Sequence, residues 1–254
     1  MMTGISEKLN LAVPDGHLMN HVLPFIEDAG LFFEGYDKSK LERRPRLKII
    51  SPESSKMIPD PDKIVIKVIR PQDMPTHVAN ANFDLAISGT DWLAEHKQRF
   101  PESPVMEKLR MGFGKVRIVA AAHEEKGNTL EEFIQSFRSQ NGKAHLRIAS
   151  EYVYLADTFA QENRLHPYRV IMTYGATESL IPEDCDMIIE NTETGNTLKK
   201  NRLKIISTLK VLGTPWSEGC LIASSRSLEI DWKKELIDAF AALLKKHLQS
   251  QPKT

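Results

Sequence analysis

Ten short apolar runs, separated by stretches of helical spacing, constrain the fold of this chain more than any other feature. They are Leu9–Val13, Leu47–Ile50, Ile64–Ile69, Leu85–Ser88, Val116–Ala122, Leu146–Ala149, Val170–Thr173, Met187–Ile189, Lys204–Ile206 and Leu221–Ala223. Strands that alternate with helices build sheets covered by those helices, so the pattern predicts an α/β architecture with mainly parallel strands. The first helix is expected over His17–Ala29, with Leu18, Val22, Phe25, Ile26 and Ala29 on one face and Gly30 as its stop. Pro24 falls inside that span and should kink or shorten the helix. Tyr36–Asp62 holds four prolines and the cluster Arg43-Arg44-Pro45-Arg46, which reads as an exposed loop or hairpin. Asp73 is placed to cap a helix that has Pro75 in its first turn. Gly127–Gly142 reads as a surface helix with loops, and Asp231–Leu248 as an amphipathic helix burying Trp232, Leu236, Ile237, Phe240, Leu243 and Leu244.

A chain of 254 residues buries one large core or two modest ones. Lys plus Arg and Asp plus Glu are 34 each, so no global basic field serves nucleic acid, and a polyanionic ligand must be held by local clusters. Cys185 and Cys220 match no metal or redox spacing and read as reduced, buried residues. No apolar run is long enough to span a membrane and no secretory leader is evident, so a cytoplasmic protein without membrane contact is expected.

The most specific chemistry lies in Glu190-Asn191-Thr192-Glu193-Thr194-Gly195-Asn196-Thr197-Leu198, directly after the apolar Met187–Ile189. A Thr-Gly-Asn-Thr turn lets main chain and hydroxyls approach one phosphate, and an acid at the strand end suits ribose hydroxyls. Together they suit a 5-phosphoribosyl group; an ordinary strand-to-helix loop explains the same letters about as well. Gly16 in Pro14-Asp15-Gly16-His17 and Gly89 in Gly89-Thr90-Asp91 mark two further strand–Gly–helix turns. Asp15 brings a negative charge to the first of them. Arg70 closes the strand Ile64–Ile69, where a guanidinium can grip pyrophosphate or simply pair with Asp73. Gly112-Phe113-Gly114-Lys115-Val116-Arg117 lacks a third glycine and a following helix, so it reads as a crossover between lobes. Glu178 after Gly175 either binds ribose or favours a helix N-terminus. His17 and His21 have metal-pair spacing but no evident third ligand, so no metal site is assigned to protein side chains.

In their order these segments resemble ATP phosphoribosyltransferase. The matching residues are Arg70–Pro75, Phe83–Asp91, Gly112–Val119, Arg147–Tyr152, Gly175–Glu178, Asp186–Leu198 and Asn201, within a span from Leu9 to about Ile206. The resemblance implies two α/β lobes like those of a type II periplasmic binding protein, over 1–110 plus 206–254 and over 111–205. Substrates lie in the cleft, and no C-terminal regulatory domain is expected. It implies Mg²⁺-dependent transfer of a phosphoribosyl group from phosphoribosyl pyrophosphate to N1 of ATP, releasing pyrophosphate, as the first step of histidine biosynthesis. Arg70, Arg44 and Glu190 are then the catalytic candidates, with Arg44 reaching a neighbouring copy. Glu190, Glu193, Thr194, Gly195, Asn196 and Thr197 hold the phosphoribosyl group, and Gly16, Gly89, Arg117, Tyr152 and Glu178 lie on the ATP side. The resemblance also implies a homo-oligomer and a regulatory subunit resembling a histidyl-tRNA synthetase.

Two departures from the family pattern stand out. The first strand-to-helix turn usually reads Pro-Lys-Gly-Arg-Leu, and here Asp15 and His17 take the basic positions. The acid that opens the phosphate loop is usually Asp, and here it is Glu190. They motivate the alternative of a catalytically weakened binding or regulatory descendant; a phosphoribosyltransferase with another base as acceptor is a third reading.

Overall fold

The computed structural model describes residues 7–142 and 144–250, which divide into two compact units. Unit 1 holds residues 7–93, 102–114 and 218–250, and unit 2 holds residues 94–101 and 115–217.

In unit 1, β1 (Leu9–Pro14) lies parallel to both β4 (Ile64–Ile69) and β5 (Leu85–Gly89). The sheet continues with β12 (Gly219–Ser224), antiparallel to β5, and then β6 (Val105–Arg110), antiparallel to β12. β5 is buried along its whole length, the pattern of a central strand covered on both faces. One face packs Val13, Leu85, Ile87 and Leu221 against α1 (Gly16–Asp28) and α9 (Asp231–Ser250). The other packs Ala12, Ala86 and Ile222 against α3 (Met74–Ala79). Phe240 and Leu244 of α9 are fully buried, each worth about 1.5–3 kcal/mol of apolar burial.

Unit 2 repeats this topology. β8 (Leu146–Ser150) lies parallel to β9 (Tyr168–Met172) and to β10 (Met187–Thr192). β7 (Arg117–His123) is antiparallel to β10 and to β11 (Leu203–Thr208). The orders β4-β1-β5-β12-β6 and β9-β8-β10-β7-β11 correspond strand for strand. Both sheets are therefore mixed: one strand, β12 or β7, runs against the others, and the edge strand beyond it, β6 or β11, again runs with the parallel core.

Each sheet is pinned at the root of its central strand. Asp84, just before β5, accepts the N–H of Asn10 at 2.8 Å, the Ser227 hydroxyl at 2.6 Å and the Lys233 ammonium at 2.8 Å. Asp186, just before β10, accepts the N–H of Arg147 at 2.8 Å and its guanidinium at 2.9 and 3.2 Å. Arg147 also donates to the carbonyls of Pro182 and Glu183, closing the loop ahead of β10.

Several expectations need correcting. α1 runs on through Pro24, because that residue and Asn20, whose carbonyl loses its helical partner, are both exposed to water. Gly30 does follow the helix, at φ +79°, where a Cβ would meet the Ser51 hydroxyl at 2.4 Å. Tyr36–Asp62 is less exposed than its prolines suggested. β2 (Leu31–Glu34) pairs with β3 (Arg46–Ile49), and α2 (Pro52–Met57) follows. Tyr36 is buried and its hydroxyl donates to the carbonyl of Pro14. β2 escaped the sequence reading because it is only four residues long, and β6 because its Glu107, Lys108 and Arg110 disguise an edge strand. Asp73 makes no side-chain cap; a 3-10 turn over Pro71–Asp73 precedes α3 instead. The chain passes between units at 93/94, 101/102, 114/115 and 217/218, where 110/111 and 205/206 were expected. β11 pairs with β7 and so holds residues 203–208 in unit 2.

Lys233 and Asp84 are both buried, so removing one partner leaves an uncompensated charge. Lys233→Ala should lose about 3–5 kcal/mol of stability, measured by urea unfolding. A loss below about 1 kcal/mol would show that the pair does not hold the C-terminal helix.

Candidate active site

The parallel strands of unit 2 end along one sheet edge. Register sets Ile189 beside Ser150 and Ser150 beside Met172. The next residues, Glu190, Glu151 and Thr173, therefore leave three neighbouring strands together, at the edge where open α/β sheets hold ligands.

Glu190 is half-buried and held in one orientation. Its Oε1 accepts the backbone N–H of Asn191 at 2.9 Å and the Asn191 side-chain amide at 3.1 Å. The same amide donates to the Tyr152 hydroxyl at 3.0 Å. Thr177, fully buried after the left-handed residues Gly175 and Ala176, adds a further hydrogen bond to the carboxylate. Burial is the largest influence on this acid and lifts it to about 7, with the charges of Glu151 and Glu178 acting the same way. Asn191 and Thr177 oppose the rise by bonding the anion.

The loop beyond Glu190 folds on itself. Thr192 is buried and its Oγ1 accepts the N–H of Gly195 at 2.9 Å. Gly195 sits at φ +77°, a left-handed conformation that favours glycine, and α7 (Asn196–Lys200) starts immediately after it. The Gly195 N–H is engaged by Thr192 in this loop. The exposed Thr194, Asn196 and Thr197 side chains remain, together with the N–H groups of Thr197 and Leu198 that a helix leaves without internal acceptors. Arg117 pairs opposite Thr192 in β7, so its side chain shares that face of the sheet. Glu193 is exposed beside the turn.

The remaining candidates divide clearly. Arg70 is exposed after β4 and its guanidinium forms no ion pair among the described residues, so the structural pairing with Asp73 is absent. Arg44 is exposed; its neighbour Arg43 bonds Asp15 at 2.9 Å and neutralises the acid of the first turn. Gly16 takes φ +68° with open space around it. Gly89 makes room for the Asp91 carboxylate, 2.1 Å from where a Cβ would stand, and the Thr90 N–H is bonded to Glu218. The Asp91 side chain in that turn is buried. Tyr152 is fully buried and its hydroxyl accepts from Asn191, which in turn holds Glu190. The charge of Glu178 acts on Glu190. Asn191, Thr192 and Thr177 were not singled out in the sequence; adjacency to Glu190 was the available signal for the first two, and none marked Thr177.

Fold and edge chemistry place the protein among two-unit α/β proteins of the periplasmic-binding-protein kind. A Candida albicans protein described as having the generic periplasmic binding protein fold matches with a TM-score of 0.55 at 12% identity, over 95% of this chain and 71% of its own. The ATP phosphoribosyl transferase of a HisG:HisZ complex from Thermotoga maritima matches with a TM-score of 0.68 at 22% identity, over 96% of this chain and 100% of its own. The protein-family model HisG, ATP phosphoribosyltransferase, matches residues 70–246. Relatives named ATP phosphoribosyltransferase include one from Chlorobaculum parvum, 30% identical over 99% of this chain and 76% of its own. Another, ATP phosphoribosyltransferase 1 from Geobacter sulfurreducens, is 31% identical over 97% and 75%. The chain belongs to the ATP phosphoribosyltransferase family, pentosyltransferases of the first step of histidine biosynthesis. Among the described residues no helix is long and apolar enough to cross a membrane.

A raised carboxyl favours the folded state only while protonated. The contribution of Glu190 is complete below its ordinary 4.5 and is lost as pH rises through about 7. Glu190→Gln should therefore be more stable than the parent at pH 8, by about 1–3 kcal/mol, and equal to it near pH 4. An equal difference in unfolding free energy at both pH values would contradict this.

Proposed function

We propose that the protein transfers the 5-phosphoribosyl group of phosphoribosyl pyrophosphate to N1 of ATP and releases pyrophosphate, with the edge of unit 2 as the phosphoribosyl subsite. The observation that carries this reading is an oriented acid, Glu190, directly ahead of a Thr-Gly-Asn-Thr turn that opens a helix.

Glu190 accepts the ribose hydroxyls through the oxygen that Asn191 leaves open. The hydroxyls of Thr194 and Thr197, the Asn196 amide and the first-turn N–H groups of α7 receive the 5-phosphate. Glu193 stands at the mouth of that turn and Arg117 supplies positive charge to it. Breaking the bond from C1 to pyrophosphate develops positive charge on the ribose ring and negative charge on the leaving group. Glu190 and Glu151 act on the first of these charges. Arg70 acts on the second, and a fixed contact of this kind is worth about 3–4 kcal/mol in the transition state. Arg44, exposed and unattached to Asp15, is assigned to a neighbouring copy in a homo-oligomer. Gly16, Gly89 and Glu178 are assigned to ATP.

The donor set suits Mg²⁺ brought by the substrate. Glu151 and Glu178 offer hard oxygen donors of the kind Mg²⁺ takes alongside substrate phosphates, while among the described residues no cluster of three ligands forms a protein cage. When bound, the ion neutralises charge on the departing pyrophosphate. A regulatory subunit resembling a histidyl-tRNA synthetase is proposed from the Thermotoga maritima match, whose solved structure is a HisG:HisZ complex. A cytoplasmic setting accords with two buried, unpaired cysteines, the thiol of Cys185 being pushed up to about 12 by burial.

Phosphoribosyl-ATP formation from ATP, phosphoribosyl pyrophosphate and Mg²⁺ tests the reading, with and without the regulatory subunit. Turnover is expected, and Arg70→Ala should lower kcat about 10²–10³-fold with the fold retained. Binding of both substrates without turnover in either setting would assign the chain to a catalytically silent descendant.

A further inference from the structure

The helix that follows β8 is capped from far away in sequence. α6 (Val153–Glu162) begins at Tyr152, which provides no side-chain cap, and its first turn carries no acid. The capping group is Glu95, in α4 (Thr90–Arg99), whose residues from Ala94 onward belong to unit 2. Glu95 Oε1 accepts the N–H of Tyr154 and Oε2 the N–H of Leu155, both at 2.8 Å. Arg99, one turn further along α4, lies over the Tyr154 ring at 5.3 Å. Burial raises the carboxyl of Glu95, and the backbone donors of α6 together with Arg99 work against that rise.

We propose that Glu95 is a positioning residue for phosphoribosyl transfer: its carboxylate caps α6 and so fixes Tyr152, Asn191 and, through them, the Glu190 carboxylate. The links are continuous. α6 starts from Tyr152, the Tyr152 hydroxyl accepts from Asn191 at 3.0 Å, and Asn191 holds Glu190 Oε1 by two hydrogen bonds. Glu95 touches no substrate. It also closes the α6 N-terminus, a natural anion site beside the same sheet edge, to the substrate's phosphates. The ligand phosphate is thereby directed to the Thr194–Thr197 turn. The inference rests on Glu190 being the ribose acid.

The test uses the full chain, with its regulatory subunit where turnover requires one, and the variants Glu95→Ala, Glu95→Gln and Glu190→Gln. Loss of a helix cap corresponds to about a tenfold rise in KM for phosphoribosyl pyrophosphate in Glu95→Ala, with KM for ATP unchanged. Glu95→Gln, which keeps one acceptor oxygen, should fall between it and the parent, and decides the matter if Glu95→Ala does not fold. Added formate should restore the low KM in Glu95→Ala by refilling the helix end, and should leave the parent unaffected. An unchanged KM for phosphoribosyl pyrophosphate, or an equal rise for both substrates without a response to formate, would overturn the proposal. If Glu190→Gln raises KM while Glu95→Ala does not, the positioning role alone fails. If Glu190→Gln has no effect, the ribose-acid reading fails with it.

Discussion

In each unit one aspartate, bonded across to the start of the neighbouring strand, fixes the register on which everything downstream depends. Asp84 joins the root of β5 to Asn10 in β1, and Asp186 joins the root of β10 to Arg147 in β8. A strand that slips by one residue turns all its side chains to the other face. In unit 2 such a slip would separate Glu190 from Glu151 and break the packing of the buried Met187, Ile188 and Ile189. The cations differ, a buried lysine from the C-terminal helix in one unit and a half-buried arginine from the adjacent strand in the other. The device is the same: an acid satisfied on both oxygens, at the end of the sheet opposite the ligand edge.

Local stability is given up at that opposite edge. Glu190 lies half-buried beside two other acids, which raises its carboxyl to about 7 and makes the ionised form unfavourable in the free protein. Left-handed Ala176 and the folded-back loop ending at Gly195 add a strained and a permissive turn next to it. Groups placed at some expense to the fold are what a binding edge requires, since ligand hydroxyls and cations relieve the burden when they arrive. The family pattern places a shorter acid at this position. Glutamate reaches farther, and Asn191 and Tyr152 hold the longer side chain in place.

The fold was legible in the sequence where apolar runs were long and unbroken, as in Ile64–Ile69, and where amphipathic spacing was sustained, as in α9. It was not legible where a strand was short or charged, as in β2 and β6, because pairing supplied what periodicity lacked. Pro24 misled for a related reason: its missing hydrogen bond falls on a water-facing carbonyl. The site was legible as a contiguous string, Glu190 to Leu198. What the string does not carry is its support. The capping of α6 by Glu95 and the pairing of Asp15 with Arg43 join residues far apart in sequence, and the burial of Tyr152 follows from packing alone.

The central claim is that Glu190 gives up a proton to accept the ribose of phosphoribosyl pyrophosphate. Calorimetric titration of that substrate with Mg²⁺ at pH 7, in two buffers of different ionisation enthalpy, counts the protons exchanged on binding. With an acid near 7 in the free protein, release of roughly half a proton is predicted, and Glu190→Gln should abolish it. Proton uptake, or the same release in the variant, would contradict the account.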